Sequence, residues 1–293
     1  MEETDVVLSD VHLNKIVEGD SKVKQYTRIK FFCPPIEENL VQSCTSCNTV
    51  DEDGDYVCNN QDINEYDVIG VYHNMATTLN NVGCQLWRGA LLMCDFIHHN
   101  CEMFRNKNVL ELGSGIGLTG IVAAQYAHQV ICTDSQKTAL DICQSNIEEN
   151  SRFCKCTVKV TKLDWFRMTE SSVSKFLQAN LSNQYPVTIL VCDCVYDNAL
   201  TDALFRTLYF IATSMTLRNA VTIYISLEKR LNFTMQEFDV TCKEYSHFQD
   251  CLSELGKCDE RFEIKQIPCS DFRQFFEYDR VVYLELWEIK YSL

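Results

Sequence analysis

Residues 109–120, VLELGSGIGLTG, constrain the fold more than any other stretch of the chain. An apolar run stops at Leu112, Gly113 and Gly115 make a turn, and a helical pattern starts near Gly117. A strand that runs through a glycine turn into a helix suits a parallel sheet whose helices cross back over it. The flanking pattern agrees. Strand-like runs are predicted at 67–73, 108–112, 129–133, 156–160, 187–193, 220–227, 261–267 and 281–289, with helical spacing near 86–104, 117–126, 136–149 and 198–216. In the last of these Asn198 is the expected cap, and Leu200, Leu204, Leu208, Ile211 and Met215 recur on one face. The strands VTILVCD and AVTIYISL are almost wholly apolar, as burial on both faces requires. The expected fold is therefore α/β, a mostly parallel sheet with helices on both faces. No helical pattern separates the last two strand-like runs, so the sheet should end antiparallel.

The chain divides at about residue 65. Residues 66–293 carry the regular pattern, whereas 1–65 read as an extension with short strands at 5–17 and 23–32 and an acidic mobile loop at 37–65. Cys44, Cys47 and Cys58 offer three ligands where structural zinc needs four, and the DEDGD run at 51–55 lacks the closing glutamate of a calcium loop, so no metal is expected there. The 17 cysteines fall largely within apolar patterns, as with Cys94, Cys132, Cys143 and Cys192, where reduced thiols behave as small hydrophobes. With no secretory signal in the first 30 residues, a reducing compartment is expected, nuclear or cytoplasmic. A formal charge of −15 disfavours binding to nucleic acid or to anionic membrane and favours a basic protein partner.

The glycine turn presents free helix N–H groups to a ligand, and Asp134 closes the next strand, where a carboxylate can accept both ribose hydroxyls of an adenosine. GIGLTG at 115–120 matches the dinucleotide fingerprint, which keeps an NAD-dependent oxidoreductase open. Glu111 weighs toward S-adenosylmethionine, because a carboxylate at the strand tip repels a pyrophosphate and attracts a sulfonium and an ammonium. A module that binds the cofactor without catalysis is the third reading.

Residues 111–117 resemble motif I of the seven-β-strand methyltransferases. Gln85, Leu86, Trp87, Arg88, Gly89 and Ala90 resemble the tryptophan-bearing segment of the methyltransferase-like 21 group, Leu163, Asp164 and Trp165 its Asp-Trp element, and Asp193, Cys194, Val195 and Tyr196 its Asp-x-x-Tyr motif. The group belongs to family 16, largely protein-lysine methyltransferases. The resemblance implies a Rossmann-like, seven-stranded sheet that transfers a methyl from S-adenosylmethionine to a lysine of a non-histone protein. It implies a nuclear and nucleic-acid-associated target, and a monomer is expected. It assigns cofactor contacts to Trp87, Glu111, Gly113, Ser114, Gly115, Asp134, Asp164, Trp165 and Cys192, the last in place of a small residue. Asp193 would steer the lysine ammonium and Tyr196 shape the approach of the amine. Trp87 suits core packing equally well, Asp164 and Trp165 suit a surface turn, and Asp193 and Tyr196 also admit structural roles. Lys229 and Arg230 are candidates for substrate contact, and His98 with His99 reads as a surface pair.

Overall fold

The computed structural model describes residues 6–8, 25–32, 55, 66–182, 184–214, 220–230, 232–234 and 239–292. The expected acidic loop, with Cys44, Cys47 and Cys58, lies outside them apart from Asp55, as does Met215. In chain order the elements are β1 (Val6–Leu8), β2 (Gln25–Phe32), β3 (Tyr66–His73), β4 (Ala76–Thr78), α1 (Arg88–His99), α2 (Cys101–Phe104), β5 (Asn108–Leu112), α3 (Leu118–Ala123), β6 (Gln129–Asp134) and α4 (Lys137–Glu149). There follow β7 (Thr157–Lys162), α5 (Glu170–Asn180), β8 (Val187–Cys192), α6 (Asn198–Ala212), β9 (Val221–Glu228), β10 (Asn232–Thr234), β11 (Asp239–Thr241), α7 (Lys243–Cys258), β12 (Phe262–Ile267) and β13 (Leu284–Tyr291).

Seven strands form one sheet in the order β12-β13-β9-β8-β5-β6-β7. Strands β5 to β9 are parallel, and β13 runs antiparallel between β9 and β12. This is the mostly parallel sheet with an antiparallel end that the pattern implied, and the Rossmann-like, seven-stranded sheet that the resemblance implied. Side chains alternate between two cores, as the two-residue period of a strand dictates. Val109, Val130, Leu190 and Tyr224 face the layer that holds α1, α3 and α4. Leu110, Ile131, Ile189 and Ile223 face α5, α6 and α7. From β5 the chain moves first to β6 and β7 on one side and later to β8 and β9 on the other. That reversal opens a crevice beyond the carboxyl ends of β5 and β8, where open α/β sheets bind ligands.

The N-terminal strands pair forward in the chain, not with each other: β1 with β4, and β2 along its whole length with β3. Ile29 and Phe31 of β2 are buried in the α1–α3–α4 core, and Phe31 stacks on Phe276 at 5.2 Å. The backbone of β3 is read by two carboxamides one helical turn apart, at the end of α4. Asn146 Oδ1 accepts from Tyr72 N at 2.7 Å and its Nδ2 donates to Tyr72 O at 3.0 Å. Asn150 repeats this pattern at Gly70, with distances of 3.1 and 2.7 Å.

Two local expectations change. The cap of α6 is Asp197, whose side chain accepts from Leu200 N, and Asn198 is the first helical residue. His98 is not part of a surface pair: its ring packs edge-on against Phe275 at 4.7 Å, bonds the Tyr126 hydroxyl through Nδ1, and burial pushes its pKa down to about 4. Two helices, α5 and α7, went unpredicted. All described cysteines are free thiols, and no helix among the described residues is long and apolar enough to cross a membrane.

Candidate active site at the carboxyl edge of the sheet

A cavity open to solvent occupies the crevice beyond β5, β6 and β8. All eleven site residues named from the sequence line it, together with Val82, Gly83 and Gln85 of the segment before α1. Its floor is the glycine turn, and two positions there require glycine. Gly113 sits at φ 70° and Gly115 at φ 51°, in the left-handed region. A Cβ on Gly113 would lie 2.7 Å from Cys194 Sγ, and one on Gly115 would lie 2.7 Å from Gly83 O. Ser114 stitches the turn to β6, its Oγ accepting from Thr133 N at 2.8 Å.

Two carboxyl groups face this floor. Asp134 Oδ2 accepts from Gly115 N at 3.1 Å and Oδ1 from Gln136 N at 2.9 Å, so one side chain joins the turn to the start of α4. Burial nevertheless holds its pKa above the usual carboxylate range. Glu111 is deeper, 2% exposed, and accepts from Cys132 Sγ at 3.5 Å. Burial pushes its pKa up to about 7, with hydrogen bonds from Cys132, Thr119 and Ser114 opposing the rise. A cation arriving beside such a group would favour its ionised form.

The walls are aromatic and sulfur-bearing. Trp165 is 7% exposed and lies over Gly113, so close that a Cβ on that glycine would stand 3.3 Å from the indole ring. Asp164 caps the short turn that carries it, accepting from Phe166 N at 3.1 Å. Trp87 is fixed by its indole N–H, which donates to Val82 O at 3.0 Å, and by the Arg230 guanidinium 4.5 Å above its ring. Cys192 Sγ lies 3.6 Å from Thr119 Oγ1, and burial keeps its thiol protonated.

The rim is built by Asp193. This residue turns the chain out of β8 at φ 51°, and its carboxylate is doubly engaged: Oδ2 accepts from Gly89 N at 2.5 Å and Oδ1 from Glu228 N at 2.9 Å. Trp87, at the N-cap of α1, supplies no side-chain acceptor, so Asp193 caps that helix from another strand. Arg88 pairs with Glu228 at 2.9 Å, with both side chains mostly shielded. Burial raises the Tyr196 phenol well above its ordinary value, so it faces the cavity as a neutral donor. Of the two cationic candidates, Lys229 pairs with Glu285 at 2.7 Å, and neither lines the cavity. The Val82–Gly83 roof escaped sequence reasoning, since only its approach to Gly115 in space marks it.

The lysine methyltransferase family model matches residues 73–244. Human methyltransferase-like protein 22 is 41% identical over 76% of this chain and 58% of its own length, and the mouse protein is 40% identical over 76% and 59%. The chain thus spans less than two thirds of the length of these curated relatives. Calmodulin-lysine N-methyltransferase of Arabidopsis thaliana is 31% identical over 52% of this chain and 47% of that protein. An O-methyltransferase structure from Bacillus cereus in complex with SAH covers 70% of this chain and 80% of its own at 15% identity and a TM-score of 0.42. The match to the family model spans more than half of the 293 residues. The chain belongs to the lysine methyltransferase family.

Proposed function

We propose that the chain transfers a methyl group from S-adenosylmethionine to the ε-amine of a lysine in a non-histone protein. The observation that carries this reading is the pairing of two carboxyl groups, Glu111 and Asp134, with a left-handed glycine turn in one cavity at the sheet's switch point. The residues fit the cofactor. The glycine cradle would be filled by any Cβ, Asp134 suits ribose hydroxyls, and the buried Glu111 suits positive charge. The same Glu111 speaks against NAD, whose pyrophosphate it would repel. When bound, S-adenosylmethionine supplies a methyl group activated by an adjacent sulfonium.

The chain's own residues then divide the work. Gly113, Ser114 and Gly115 admit the ligand against the backbone, Asp134 orients the ribose, and Trp165 and Trp87 wall it from water. Asp164 lies on the Trp165 side, within the same lining, to take the base's amine. Asp193 adds negative charge at the rim, where a lysine ammonium enters, and Tyr196 limits its approach. A lysine with a free pKa of about 10.4 must lose its proton, at a cost of about 4 kcal/mol near neutral pH. Desolvation at the aromatic rim lowers that cost. The charge of −15 supports a basic protein substrate over nucleic acid or membrane. A nucleic-acid-associated target, a nuclear or cytoplasmic setting and a monomeric state complete the proposal. The naming of calmodulin in the Arabidopsis relative supports protein over small-molecule substrates.

Incubating the chain with labelled S-adenosylmethionine and cell extract, followed by mass spectrometry of labelled bands, tests the reading. Methyl-lysine is the expected product; label confined to another group, or none, overturns it. Asp134→Ala should weaken cofactor binding by about 2–3 kcal/mol in calorimetry, because charge-assisted bonds to the ribose are lost.

Glu111 gives a pH prediction. Its folded pKa, about 7, lies above the unfolded carboxylate value, so the empty protein gains stability below the unfolded value and loses it as pH rises through about 7. A cation at Glu111 favours the ionised form, so affinity for S-adenosylmethionine should rise from about pH 6 to about pH 8. Glu111→Gln should flatten that calorimetric profile; an unchanged slope would remove Glu111 from the cofactor's charged end.

A further inference from the structure

Away from the cavity, on the face of the sheet covered by α6 and α7, three side chains of different chemistry converge. Asp202 comes from α6, and His247 and Cys251 from α7, where a spacing of four places them on one helical face. Asp202 Oδ1 lies 2.7 Å from His247 Nε2 and 3.7 Å from Cys251 Sγ, and that sulfur lies 3.7 Å from His247 Nε2. The edge-to-face contact of Phe205 with Phe248, 5.8 Å between ring centroids, holds the two helices in this register.

From this geometry we propose that Asp202, His247 and Cys251 form an open, three-ligand zinc site between α6 and α7, unlike the closed four-ligand structural kind. Tetrahedral zinc with bonds of about 2.3 Å to sulfur and about 2.0 Å to nitrogen or oxygen separates its ligand atoms by about 3.3–3.6 Å. Both distances from sulfur are already near that range. Only the imidazole and carboxylate must part, by roughly half an ångström, and both are partly or well exposed, with side-chain exposures of 28% and 61%. One thiolate, one imidazole and one carboxylate form a donor set that suits this borderline-soft ion better than calcium or magnesium. The exposed Asp202 side leaves room for water as the fourth ligand. On binding, the Cys251 thiol releases its proton to solvent, and His247 presents Nε2 with its remaining proton on Nδ1.

The same three residue types also build nucleophilic cysteine sites, but the arrangement here opposes that use. Burial and the neighbouring Asp202 carboxylate push the Cys251 thiol up to about 11, whereas a nucleophile needs its thiolate favoured. Asp202, moreover, meets the sulfur and the imidazole with one oxygen, instead of standing behind the imidazole as an orienting group.

The test uses the full chain, freed of metal and titrated with Co²⁺ and then Zn²⁺. Expected are a near-ultraviolet thiolate-to-cobalt absorption that zinc abolishes, and a higher melting temperature with zinc. Because the chain holds 17 cysteines, the signal is assigned with variants. Cys251→Ala should remove the absorption. His247→Gln and Asp202→Asn, at accessible positions, should keep the fold and weaken zinc binding by roughly tenfold or more. Serine at Cys44, Cys47 and Cys58 together should leave the absorption in place. Cobalt absorption and zinc stabilisation that persist in Cys251→Ala and His247→Gln overturn the site. So does a wild-type chain without thiolate-to-cobalt absorption, which would make the three residues a hydrogen-bonded trio only.

Discussion

Asp95→Ala should lower the unfolding free energy by about 3–5 kcal/mol, because it leaves a guanidinium uncompensated in the core. Asp95 on α1 and Arg280 are 0% and 1% exposed in their side chains and pair at 2.7 Å. Both carboxylate oxygens are further engaged. Asp95 Oδ1 accepts from Phe275 N and Phe276 N at 2.6 and 3.0 Å, and Oδ2 accepts from the Tyr278 hydroxyl at 2.8 Å. Arg280 donates to Cys269 O and Phe272 O, each at 3.0 Å. Burial pushes the Asp95 carboxyl above its ordinary range, and Arg280 pulls it only part of the way back. The pair therefore specifies how 269–280 lies against α1 more than it stabilises the fold outright. Asp95→Leu combined with Arg280→Met should recover a good part of the loss, since an apolar pair removes both buried charges. Urea unfolding measures both quantities. If Asp95→Ala costs under about 1 kcal/mol, the segment is not held by this pair.

The elements that were legible in the sequence are those whose signal is local. The apolar runs of β5, β6, β8 and β9 are carried by consecutive residues, and the glycine turn by three glycines at fixed spacing. Asp134 was legible because it closes the strand next to that turn. Helix α5 was not, because only Val173 and Leu177 of its eleven residues are buried, too narrow a stripe beside its serines. Helix α7 does carry the stripe Phe248, Cys251, Leu252 and Leu255, and its charged outer face hid it. The cap of α6 moved by one position because Asp197 and Asn198 are both good capping residues and only the backbone turn decides between them. Contacts between distant segments were invisible. His98 is packed against the core by Phe275, and Asp193 is bound by Gly89, 104 residues upstream. The Asp202, His247 and Cys251 cluster is of the same kind, since it exists only once α6 and α7 are packed.

Asp193→Asn should reduce methyl transfer about 100-fold, equivalent to about 2.7 kcal/mol of lost transition-state stabilisation, while the protein still folds. Asparagine keeps the volume and tolerates the left-handed backbone at φ 51°, so neither packing nor backbone strain should change much. The hydrogen bonds must change. A carboxylate accepts from Gly89 N and Glu228 N at once, whereas an amide sets its NH₂ against one of those N–H groups whichever way it is turned. The start of α1 or the end of β9 then loses its tether, and with it the placement of Trp87 and Ala90 in the cavity wall and of the Arg88–Glu228 pair. Turnover should fall, and turnover/KM should fall further, because KM for the protein substrate rises when a rim charge is lost. Cofactor affinity should change by less than about tenfold, since the glycine turn and Asp134 are untouched. Gly89→Ala should copy the defect in turnover but not the charge-dependent rise in KM, because its Cβ would stand 2.5 Å from Asp193 Oδ2 and push the carboxylate aside. Tyr196→Phe separates shape from charge: burial keeps the phenol protonated, so losing its hydroxyl should lower turnover by about tenfold with KM unchanged. Wild-type rates in Asp193→Asn and Tyr196→Phe would remove both from the reaction, and a turnover loss in Asp193→Asn that Gly89→Ala does not share would assign the effect to charge instead of position.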